Sequence, residues 1–472
     1  MDTPQTALEA LLERQRKAFH GDPCPDLATR RERLARLARL TRRHADEIEA
    51  AIRQDFGHRS DVETRLAELA TLLQAIGHAR RRLKRWMRPQ RAAVDWRFMP
   101  ARAEIRRQPL GVVGIIAPWN YPWSLAMLPA LDALAAGNRV MIKPSELTPA
   151  TAQLMQRLVA RYFADDELCV VTGDAAVARA FAALAFDHLL FTGSTAVGRE
   201  VARAAARNLT PVTLELGGKS PAIIDETYDL DDAARRIAFG KWLNAGQTCI
   251  APDYVLVPES RLGAFCEALE RAVTTLYPSP AGNGDYTAII SRRHRQRLIA
   301  LRDEAHNHGC RVIEIGASAE QLEASGKLPP TLIINPHASL GVMREELFGP
   351  LLPVVGVTDF AAALDFVNRR SHDARAHPLA LYAFSHDTAH QARLLTDTQS
   401  GGVVLNDTLW HIAQTSLPFG GVGASGHGAY HGEHGFLTFS HRRSVFRQSR
   451  RNAARLVHPP YRRWLLKLLR LI

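Results

Sequence analysis

The chain has 472 residues, 46% of them hydrophobic and 23% charged, which suits a globular protein of two or more domains. Its five cysteines are scattered and indicate neither a disulfide framework nor a CxxC metal site, so a reducing compartment is expected. Ten of the net +12 charges lie in residues 442–472, which contain no acid, so the remainder carries only +2; this argues against nucleic-acid binding through the fold.

The N-terminal part of the chain is predicted to be helical. Residues 1–5 are polar and lack the apolar core of a signal peptide, which indicates a cytoplasmic protein. From there to about residue 88 the apolar residues recur with helical spacing, as Leu34, Leu37 and Leu40 do among charged positions. This pattern predicts amphipathic helices.

Short apolar runs alternate with helical stretches from Val112 onward. Residues 112–116 and 139–143 are typical of strands buried on both faces, and residues 124–136 between them predict a helix that stops at Gly137. Further strands are predicted at residues 170–173, 188–192, 254–257 and 331–334. Strands and helices in this order predict doubly wound parallel sheets.

Cys249 is the candidate nucleophile. It follows Gly246-Gln247-Thr248, where small residues would let a substrate approach the sulfur. A free thiol, with a pKa of roughly 8.5, is only a few per cent ionised at neutral pH, so a base or aligned amides would help to activate it. A lone cysteine is otherwise a small buried hydrophobe, which is the interpretation for the other four (Cys24, Cys169, Cys266, Cys310).

Glu215 and Asn120 are the candidate base and oxyanion donor. Glu215 precedes Leu216-Gly217-Gly218-Lys219, where two glycines permit a sharp reversal that leaves the carboxylate free to take a proton. Asn120 follows the strand at 112–116 between two prolines, and its amide could donate to a developing oxyanion. In other contexts such a Glu is a solvated residue and such an Asn a turn former.

Together these motifs resemble the aldehyde dehydrogenase family, and the similarity extends from about residue 11 to residue 445. The resemblance implies that Cys249 forms a thiohemiacetal and then a thioester with an aldehyde. Glu215 would activate the water that hydrolyses the thioester, and Asn120 would donate to the oxyanion with the backbone N–H of Cys249. The implied fold is α/β, with two doubly wound parallel-sheet domains and a small β-flap for oligomerisation.

The resemblance also implies a domain division. An NAD-binding domain would comprise residues 1–93 and 109–214, and a catalytic domain residues 215–432. The flap would comprise residues 94–108 and 433–446, and a basic amphipathic tail residues 447–472.

The implied cofactor is NAD. Lys143 and Glu146 would bind the adenosine ribose, and Gly193 and Ser194 would meet the pyrophosphate at a helix N-terminus. Because a carboxylate at Glu146 would repel a 2′-phosphate, NAD is expected, with NADP as the alternative. The full predicted cofactor set is Trp119, Lys143, Glu146, Gly193, Ser194, Val197, Glu346 and Phe348.

Two further motifs are set aside. Residues 421–426 read GxGxxG, but neither the preceding strand nor the following helix of a dinucleotide fingerprint is predicted there. His427, His431 and His434 lie among glycines without cysteine or acidic ligands in zinc-like spacing. No metal is expected.

Within the family, four segments indicate a subgroup. Residues 438–441 are similar to the class 3 enzymes, and residues 55–60, 251–254 and 401–408 to the coniferyl aldehyde dehydrogenases. The implied substrate is coniferyl aldehyde or a related aromatic aldehyde, with medium- or long-chain aliphatic aldehydes as the alternative, since a subgroup constrains substrate less than motifs constrain chemistry. An acylating enzyme that uses coenzyme A, or a non-catalytic membrane-associated binding protein, is less favoured because Glu215 and Cys249 are both present.

The flap and the tail carry the predictions about partners. Exposed strand edges need covering, which together with the class 3 resemblance predicts a homodimer. The apolar end of the tail, residues 464–472, is too short to span a bilayer. It is expected to pack on the partner subunit, with an interfacial membrane anchor as the less favoured alternative.

Overall fold

The computed structural model describes residues 4–374, 376–452, 458–461 and 463–464. Within these ranges the strands form three sheets of six, seven and three strands. Most of the predicted tail, including residues 465–472, lies outside the described residues. No helix in the described ranges is long and apolar enough to cross a membrane.

The six-stranded sheet carries the predicted cofactor motifs. Its strands are β3 (Val112–Ile116), β4 (Arg139–Lys143), β5 (Leu168–Val170), β6 (His188–Gly193), β7 (Val212–Leu216) and β15 (Gly426–His427). They lie in the order β15-β7-β6-β3-β4-β5, and all neighbours are parallel except the antiparallel pair of β15 and β7. The predicted strands at 112–116 and 139–143 are confirmed, whereas the strand expected at 170–173 ends at Val170.

Both faces of this sheet are buried. In β3, Val113 and Ile115 belong to one apolar core and Val112 and Ile116 to another, as alternating side chains on a covered strand should. The chain order reverses between β3 and β6, which pair with each other although β4 and β5 lie between them in sequence. Such a switch point opens a crevice beyond the carboxyl ends of the strands.

The seven-stranded sheet adjoins the segment that carries Cys249, the candidate nucleophile. Its strands are β8 (Pro221–Ile224), β9 (Tyr254–Pro258), β10 (Arg311–Glu314), β11 (Thr331–Ile334), β12 (Leu351–Val357), β13 (Ala380–Phe384) and β14 (Gly402–Leu405). Their order is β10-β11-β12-β9-β8-β13-β14, and only β10 runs antiparallel to its neighbour.

The three-stranded sheet is antiparallel and stands apart from the other two. It contains β1 (Gln90–Ala92), β2 (Arg102–Pro109) and β16 (Ser440–Arg447), with β2 in the centre. The sequence placed residues 433–446 in this flap and residues 426–432 in the catalytic domain. In the structure, Gly432–Thr438 forms a helix that packs against the helices Thr71–Trp86 and Ser124–Ala136. The backbone of residues 426–427 pairs with β7 and so extends the six-stranded sheet.

The helices surround the two larger sheets and match the predicted pattern where the periodicity is strong. The predicted helix at 124–136 is confirmed, with Gly137 in the left-handed conformation at its end. The α-helices are α1 (Pro4–Gly21), α2 (Leu27–Arg43), α3 (Ala45–Phe56), α4 (Asp61–Thr64), α5 (Thr71–Trp86), α6 (Ser124–Ala136), α7 (Pro149–Tyr162), α8 (Ala175–Ala182), α9 (Thr195–Ala206), α10 (Leu230–Trp242), α11 (Leu262–Leu276), α12 (Arg292–Asn307), α13 (Gly341–Arg344), α14 (Phe360–Ala374), α15 (Thr388–Asp397) and α16 (Gly432–Thr438). A π-helical segment, Arg65–Ala70, joins α4 to α5.

Candidate active site

A cleft of about 1420 Å³ opens at the carboxyl ends of the six-stranded sheet and reaches Cys249. Asn120 follows β3, and Glu215 lies near the end of β7. Cys249 lies on the segment before β9 of the other sheet. All three predicted catalytic residues line this one cleft.

The loop that carries Asn120 is bonded directly to the loop that carries Cys249. The Nδ2 atom of Asn120 donates to the carbonyl oxygen of Gln247 at 3.2 Å. The Tyr121 hydroxyl lies 2.7 Å from the Thr248 hydroxyl. Only one N–H of the Asn120 amide is used by the Gln247 carbonyl, so the other can serve an oxyanion beside the sulfur.

The nucleophile loop has an unusual backbone. Asn244, Ala245 and Gly246 all have positive φ values of 53°, 52° and 76°. A Cβ atom at Gly246 would lie 2.3 Å from the carbonyl oxygen of Gly349, so only glycine fits. Left-handed backbone at non-glycine residues is costly and persists where the surroundings enforce it, often at functional sites.

Gln247 is the residue that holds this loop in place, and the sequence reasoning did not single it out. Its buried side chain donates to the carbonyl oxygens of Asn244 and Ala288, each at 3.0 Å, and accepts from the N–H of Ile290 at 2.9 Å. With both ends of the amide satisfied, the segment just before Cys249 is fixed to the seven-stranded-sheet side of the site.

Glu215 is a buried carboxyl next to the sulfur. Its side chain is 1% exposed, and burial raises its pKa to about 7, while the Cys249 thiol and the Thr192 hydroxyl oppose that rise. Thr192 is its direct neighbour on β6, so the two side chains lie on the same face. Neither carboxyl oxygen makes a hydrogen bond of ordinary geometry in the described part of the chain. This carboxyl can therefore exchange protons near neutral pH and has room for a further donor.

The Cys249 thiol is kept protonated by its surroundings. Burial raises its pKa well above the usual value, and the charges of Glu215 and Glu346 raise it further. Cys249 is nevertheless only partly buried and lines the cleft. Thiolate formation therefore needs a proton acceptor at the site, and Glu215 is the adjacent candidate.

The other cysteines lie elsewhere. All five cysteines are described and free, and Cys249 alone among them lines the cleft. Cys169 is a buried residue of β5 whose sulfur accepts a hydrogen bond from Gln15. Among the described residues, no cluster of His, Cys, Asp or Glu is arranged to hold a metal ion.

The predicted cofactor residues all line the same cleft. They are Trp119, Lys143, Glu146, Gly193, Ser194, Val197, Glu346 and Phe348. Gly193 and Ser194 stand at the N-terminus of α9, and the Ser194 hydroxyl accepts from the Val197 N–H. Free N–H groups at such a terminus attract phosphate.

The residues present suit a dinucleotide. Lys143 is buried, and its Nζ atom donates a hydrogen bond of 2.7 Å to the Pro144 carbonyl oxygen at the cleft wall. Glu146, three residues later, is exposed. Glu346 has a buried Oε1 atom without a partner in the described ranges, as expected of a group that awaits a hydroxyl donor. A Cβ atom at position 217 would lie 1.9 Å from the Oε2 atom of Glu346, so the Glu346 side chain can occupy this position only because residue 217 is glycine.

Two cationic side chains that sequence reasoning missed position the segment with Glu346 and Phe348. Lys219 pairs with Asp253 at 2.6 Å and donates to the Glu345 carbonyl at 2.9 Å. Arg297 donates to the Leu347 and Glu346 carbonyls. Arg297 is one of several arginines on α12, so no sequence signal distinguished it.

An aromatic group closes the wall of the cleft near Cys249. The Trp119 ring lies 5.3 Å from the Phe348 ring and 5.1 Å from the His294 ring, both in edge-on geometry. Phe348 has a positive φ of 50°. His294 was not predicted, because a lone histidine on an arginine-rich helix gives no distinguishing pattern.

Comparison with known proteins identifies the class. The chain matches the aldehyde dehydrogenase family model over residues 2–445. It is 51% identical to a probable coniferyl aldehyde dehydrogenase of Pseudomonas aeruginosa, over 98% of this chain and 95% of that protein. The coniferyl aldehyde dehydrogenase of Pseudomonas sp. strain HR199 is 46% identical, over 94% of this chain and 91% of that protein.

Two solved structures of similar proteins have the same fold as this chain. The substrate-bound state of Staphylococcus aureus AldH has a TM-score of 0.91 and 36% identity, with both chains covered completely. PnpE in complex with nicotinamide adenine dinucleotide has a TM-score of 0.85 and 25% identity, over 95% of this chain and 91% of that one.

This chain belongs to the aldehyde dehydrogenase family. It is an NAD(P)-dependent oxidoreductase that converts an aldehyde to the carboxylic acid. The family resemblance, the α/β fold with two parallel-sheet domains and a small antiparallel sheet, the enzyme class and the cofactor type predicted from the sequence are thereby confirmed.

Proposed function

We propose that Cys249, Glu215 and Asn120 carry out the oxidation. The observation that carries the proposal is their convergence on one end of the cleft from two different sheets. The sulfur of Cys249 gives up its proton to Glu215 and adds to the aldehyde carbon. Asn120 and the Cys249 N–H then donate to the oxygen that gains negative charge.

The same residues complete the turnover. In the cleft lined by Lys143, Ser194 and Glu346, NAD(P) would accept the hydride from the tetrahedral carbon, which would leave a thioester on Cys249. Glu215 first releases the Cys249 proton to solvent through the cleft, and then takes a proton from a water molecule, which attacks the thioester. The C–S bond breaks, the acid leaves, and the departing thiolate takes the proton from Glu215, which restores the thiol. A pKa of about 7 for Glu215 suits a group that accepts and returns protons near neutrality.

We propose that the two larger sheets divide these tasks. The six-stranded sheet, with the helices from residues 1–93 and 109–214, binds the cofactor. The seven-stranded sheet, from within residues 215–432, supplies the nucleophile and the segment with Glu346. The division assigns residues 447–472 to a basic tail, of which residues 453–457, 462 and 465–472 lie outside the described part of the chain.

The proposed substrate is coniferyl aldehyde or a related aromatic aldehyde. The support is the similarity to a probable coniferyl aldehyde dehydrogenase at 51% identity and to a coniferyl aldehyde dehydrogenase at 46% identity, which cover nearly the whole chain. The test is a panel of cinnamyl, benzyl and straight-chain aldehydes, with and without coenzyme A, followed by absorbance of the reduced nicotinamide. A higher kcat/KM for the cinnamyl members is expected. A higher value for long-chain aldehydes, or a requirement for coenzyme A, would contradict the proposal.

The proposed assembly is a homodimer formed through the small antiparallel sheet. β16 is an edge strand of that sheet, and Phe446 on it is 53% exposed and packs edge-on to Phe98 at 6.2 Å. Trp96 nearby is 81% exposed. Exposed strand edges with large apolar side chains favour pairing with another chain.

A further inference from the structure

A buried ion pair lies behind the oxyanion side of the site. Arg59 and Glu68 have fully buried side chains, and their Nη1 and Oε1 atoms are 3.2 Å apart. Neither residue belongs to the cleft lining, and neither takes part in the chemistry described above. Burial of an ion pair removes the hydration of both ions, and this cost offsets much of their attraction. Such a pair therefore contributes little net stability unless both ions also make hydrogen bonds to other groups.

Arg59 holds the backbone of Asn120. Its Nη1 atom donates to the Asn120 carbonyl oxygen at 2.9 Å. The guanidinium lies between the rings of Phe56 and Tyr121, 4.9 and 4.8 Å from their centroids. The aromatic rings on both sides leave the guanidinium little freedom, so the donor position is fixed.

Glu68 binds the other end of the segment that runs from Asn120 to Ser124. Its Oε2 atom accepts from the N–H groups of Trp123 at 2.8 Å and Ser124 at 3.0 Å, at the start of α6. A carboxylate is favoured there because it satisfies N–H groups that have no partner within the helix. Glu68 lies in the π-helical segment 65–70, and such segments are frequent at functional sites.

We propose that Arg59 and Glu68 are positioning residues that hold the connection from Asn120 to Ser124 at both ends, so that the Asn120 amide meets the oxyanion. This inference rests on the proposed role of Asn120. The Asn244 side chain adds a second donor to the Asn120 carbonyl, at 3.1 Å. The proposed effect of the ion pair on the reaction is exerted through Asn120, and the pair makes no contact with the reacting atoms. Arg59 also packs on Tyr121, whose hydroxyl lies 2.7 Å from that of Thr248, and an effect through this second contact would appear as losses that multiply in the mutant cycle described below.

The matched control is Arg30, at the opposite end of α6. Arg30 is also buried, and it donates to the carbonyl oxygens of Ala135 and Ala136. Arg30→Met and Arg59→Met therefore each remove a buried guanidinium that binds the backbone next to one end of this helix. A merely structural role predicts that both variants lower the melting temperature and that they change kcat to the same extent. A positioning role predicts that only Arg59→Met lowers kcat.

The decisive experiment is a double-mutant cycle with Asn120→Ala, with kcat and KM for the aldehyde measured at saturating NAD. Arg59→Met is expected to lower kcat about 10- to 100-fold, as for a misplaced catalytic group, with little change in KM. In the Asn120→Ala background the same change is expected to have almost no further effect, because its route of action is gone. Arg59→Lys, which keeps the charge and one donor, is expected to recover part of the activity.

Several outcomes would overturn the inference. Losses that multiply across the cycle, or equal losses of kcat in Arg30→Met and Arg59→Met, would reduce the pair to a structural role. If Arg59→Met does not fold, Glu68→Gln and Arg59→Lys replace it in the cycle, and wild-type kcat in both would refute the positioning role. Full activity of Asn120→Ala alone would instead overturn the proposed role of Asn120, and the positioning inference with it.

Discussion

The side-chain amide of Asn120 donates to the backbone carbonyl of Gln247, 127 positions later in the chain and two residues before Cys249. The proposed oxyanion donor and the proposed nucleophile therefore share one hydrogen-bonded unit, although Asn120 follows a strand of the six-stranded sheet and Cys249 precedes a strand of the seven-stranded sheet. Displacement of either loop would disturb both functions, because the donor must sit within hydrogen-bond distance of the oxygen on the attacked carbon.

Replacement of the proposed nucleophile separates chemistry from binding. Cys249→Ala is expected to abolish NADH formation, because the thiol forms the covalent intermediate. NAD affinity is expected to stay intact, because the residues proposed to bind the cofactor are unchanged. Calorimetric titration with NAD and an absorbance assay measure the two. Cys169→Ala, which changes a buried strand cysteine, is expected to cost about 1 kcal/mol of stability and to keep turnover. Undiminished turnover in Cys249→Ala would refute the nucleophile assignment.

Replacement of the proposed base should stop the reaction after one turnover. Glu215→Gln is expected to hydrolyse the thioester about 10²- to 10⁴-fold more slowly than the wild type. Because Glu215 also accepts the Cys249 proton, the thioester is expected to form more slowly than in the wild type as well. Stopped-flow absorbance would show an NADH burst followed by a slow phase. Glu345→Gln, an exposed carboxylate on the same cleft, serves as the control and should behave as wild type.

The same carboxyl sets a pH dependence. Only the ionised form of Glu215 accepts a proton, and its pKa is raised to about 7 by burial. The hydrolysis rate is therefore expected to rise about tenfold per pH unit below 7 and to level off above it. Single-turnover hydrolysis of the thioester measures this step apart from the ionisation of Cys249. A flat profile between pH 5.5 and 8 would contradict the role of Glu215.

A methyl group at Gly246 should distort the nucleophile loop. Gly246→Ala combines a left-handed backbone, which costs about 1–2 kcal/mol for an L-residue, with a Cβ atom 2.3 Å from the Gly349 carbonyl. We expect a lower melting temperature and a kcat reduced by at least about tenfold. Gly263→Ala, in α11 with no atom within 4 Å of the new carbon, should be neutral or slightly stabilising. Equal behaviour of the two variants would argue against the strain at Gly246.

The choice between NAD and NADP should depend on Glu146. Loss of its charge in Glu146→Gln removes repulsion of a 2′-phosphate, worth about 1 to 4 kcal/mol for unit charges 4 Å apart at the surface. We expect the ratio of kcat/KM for NADP to that for NAD to rise about tenfold. Glu200→Gln removes a second carboxylate from the same cleft and controls for net charge. If the ratio of kcat/KM for NADP to that for NAD rose equally in both variants, the change in net charge of the cleft, and not the position of Glu146, would account for the selectivity.

Disruption of the small-sheet edge should dissociate the proposed dimer. Phe446→Asp places a charge on the exposed edge strand β16 and is expected to give monomers in sedimentation velocity experiments, since charges on an edge oppose pairing. Leu209→Asp changes an equally apolar side chain, 89% exposed, on the turn after α9. That control should sediment as the wild type does. A monomeric wild-type enzyme would refute the proposed assembly.

The amino-acid sequence by itself determined the local elements and which residues are proposed as the reacting groups. The helix at 124–136 and the strands at 112–116 and 139–143 follow from apolar periodicity and a glycine stop, because these depend on neighbours a few residues apart. The motifs around Cys249, Glu215 and Asn120 indicated the chemistry through their resemblance to the aldehyde dehydrogenase family. Each candidate group stands in a short segment, so the resemblance is visible without knowledge of distant contacts.

The tertiary structure alone decided which distant groups meet and what protonation they favour. Arg59 reaches Asn120 across 61 positions, and Thr192 becomes the neighbour of Glu215 only because β6 and β7 pair. The raised pKa values of Glu215 and Cys249 arise from burial, which no single segment encodes. Hydrogen bonds and desolvation depend on distances in space, and a chain that folds into two sheets brings together atoms that its sequence separates by more than a hundred residues.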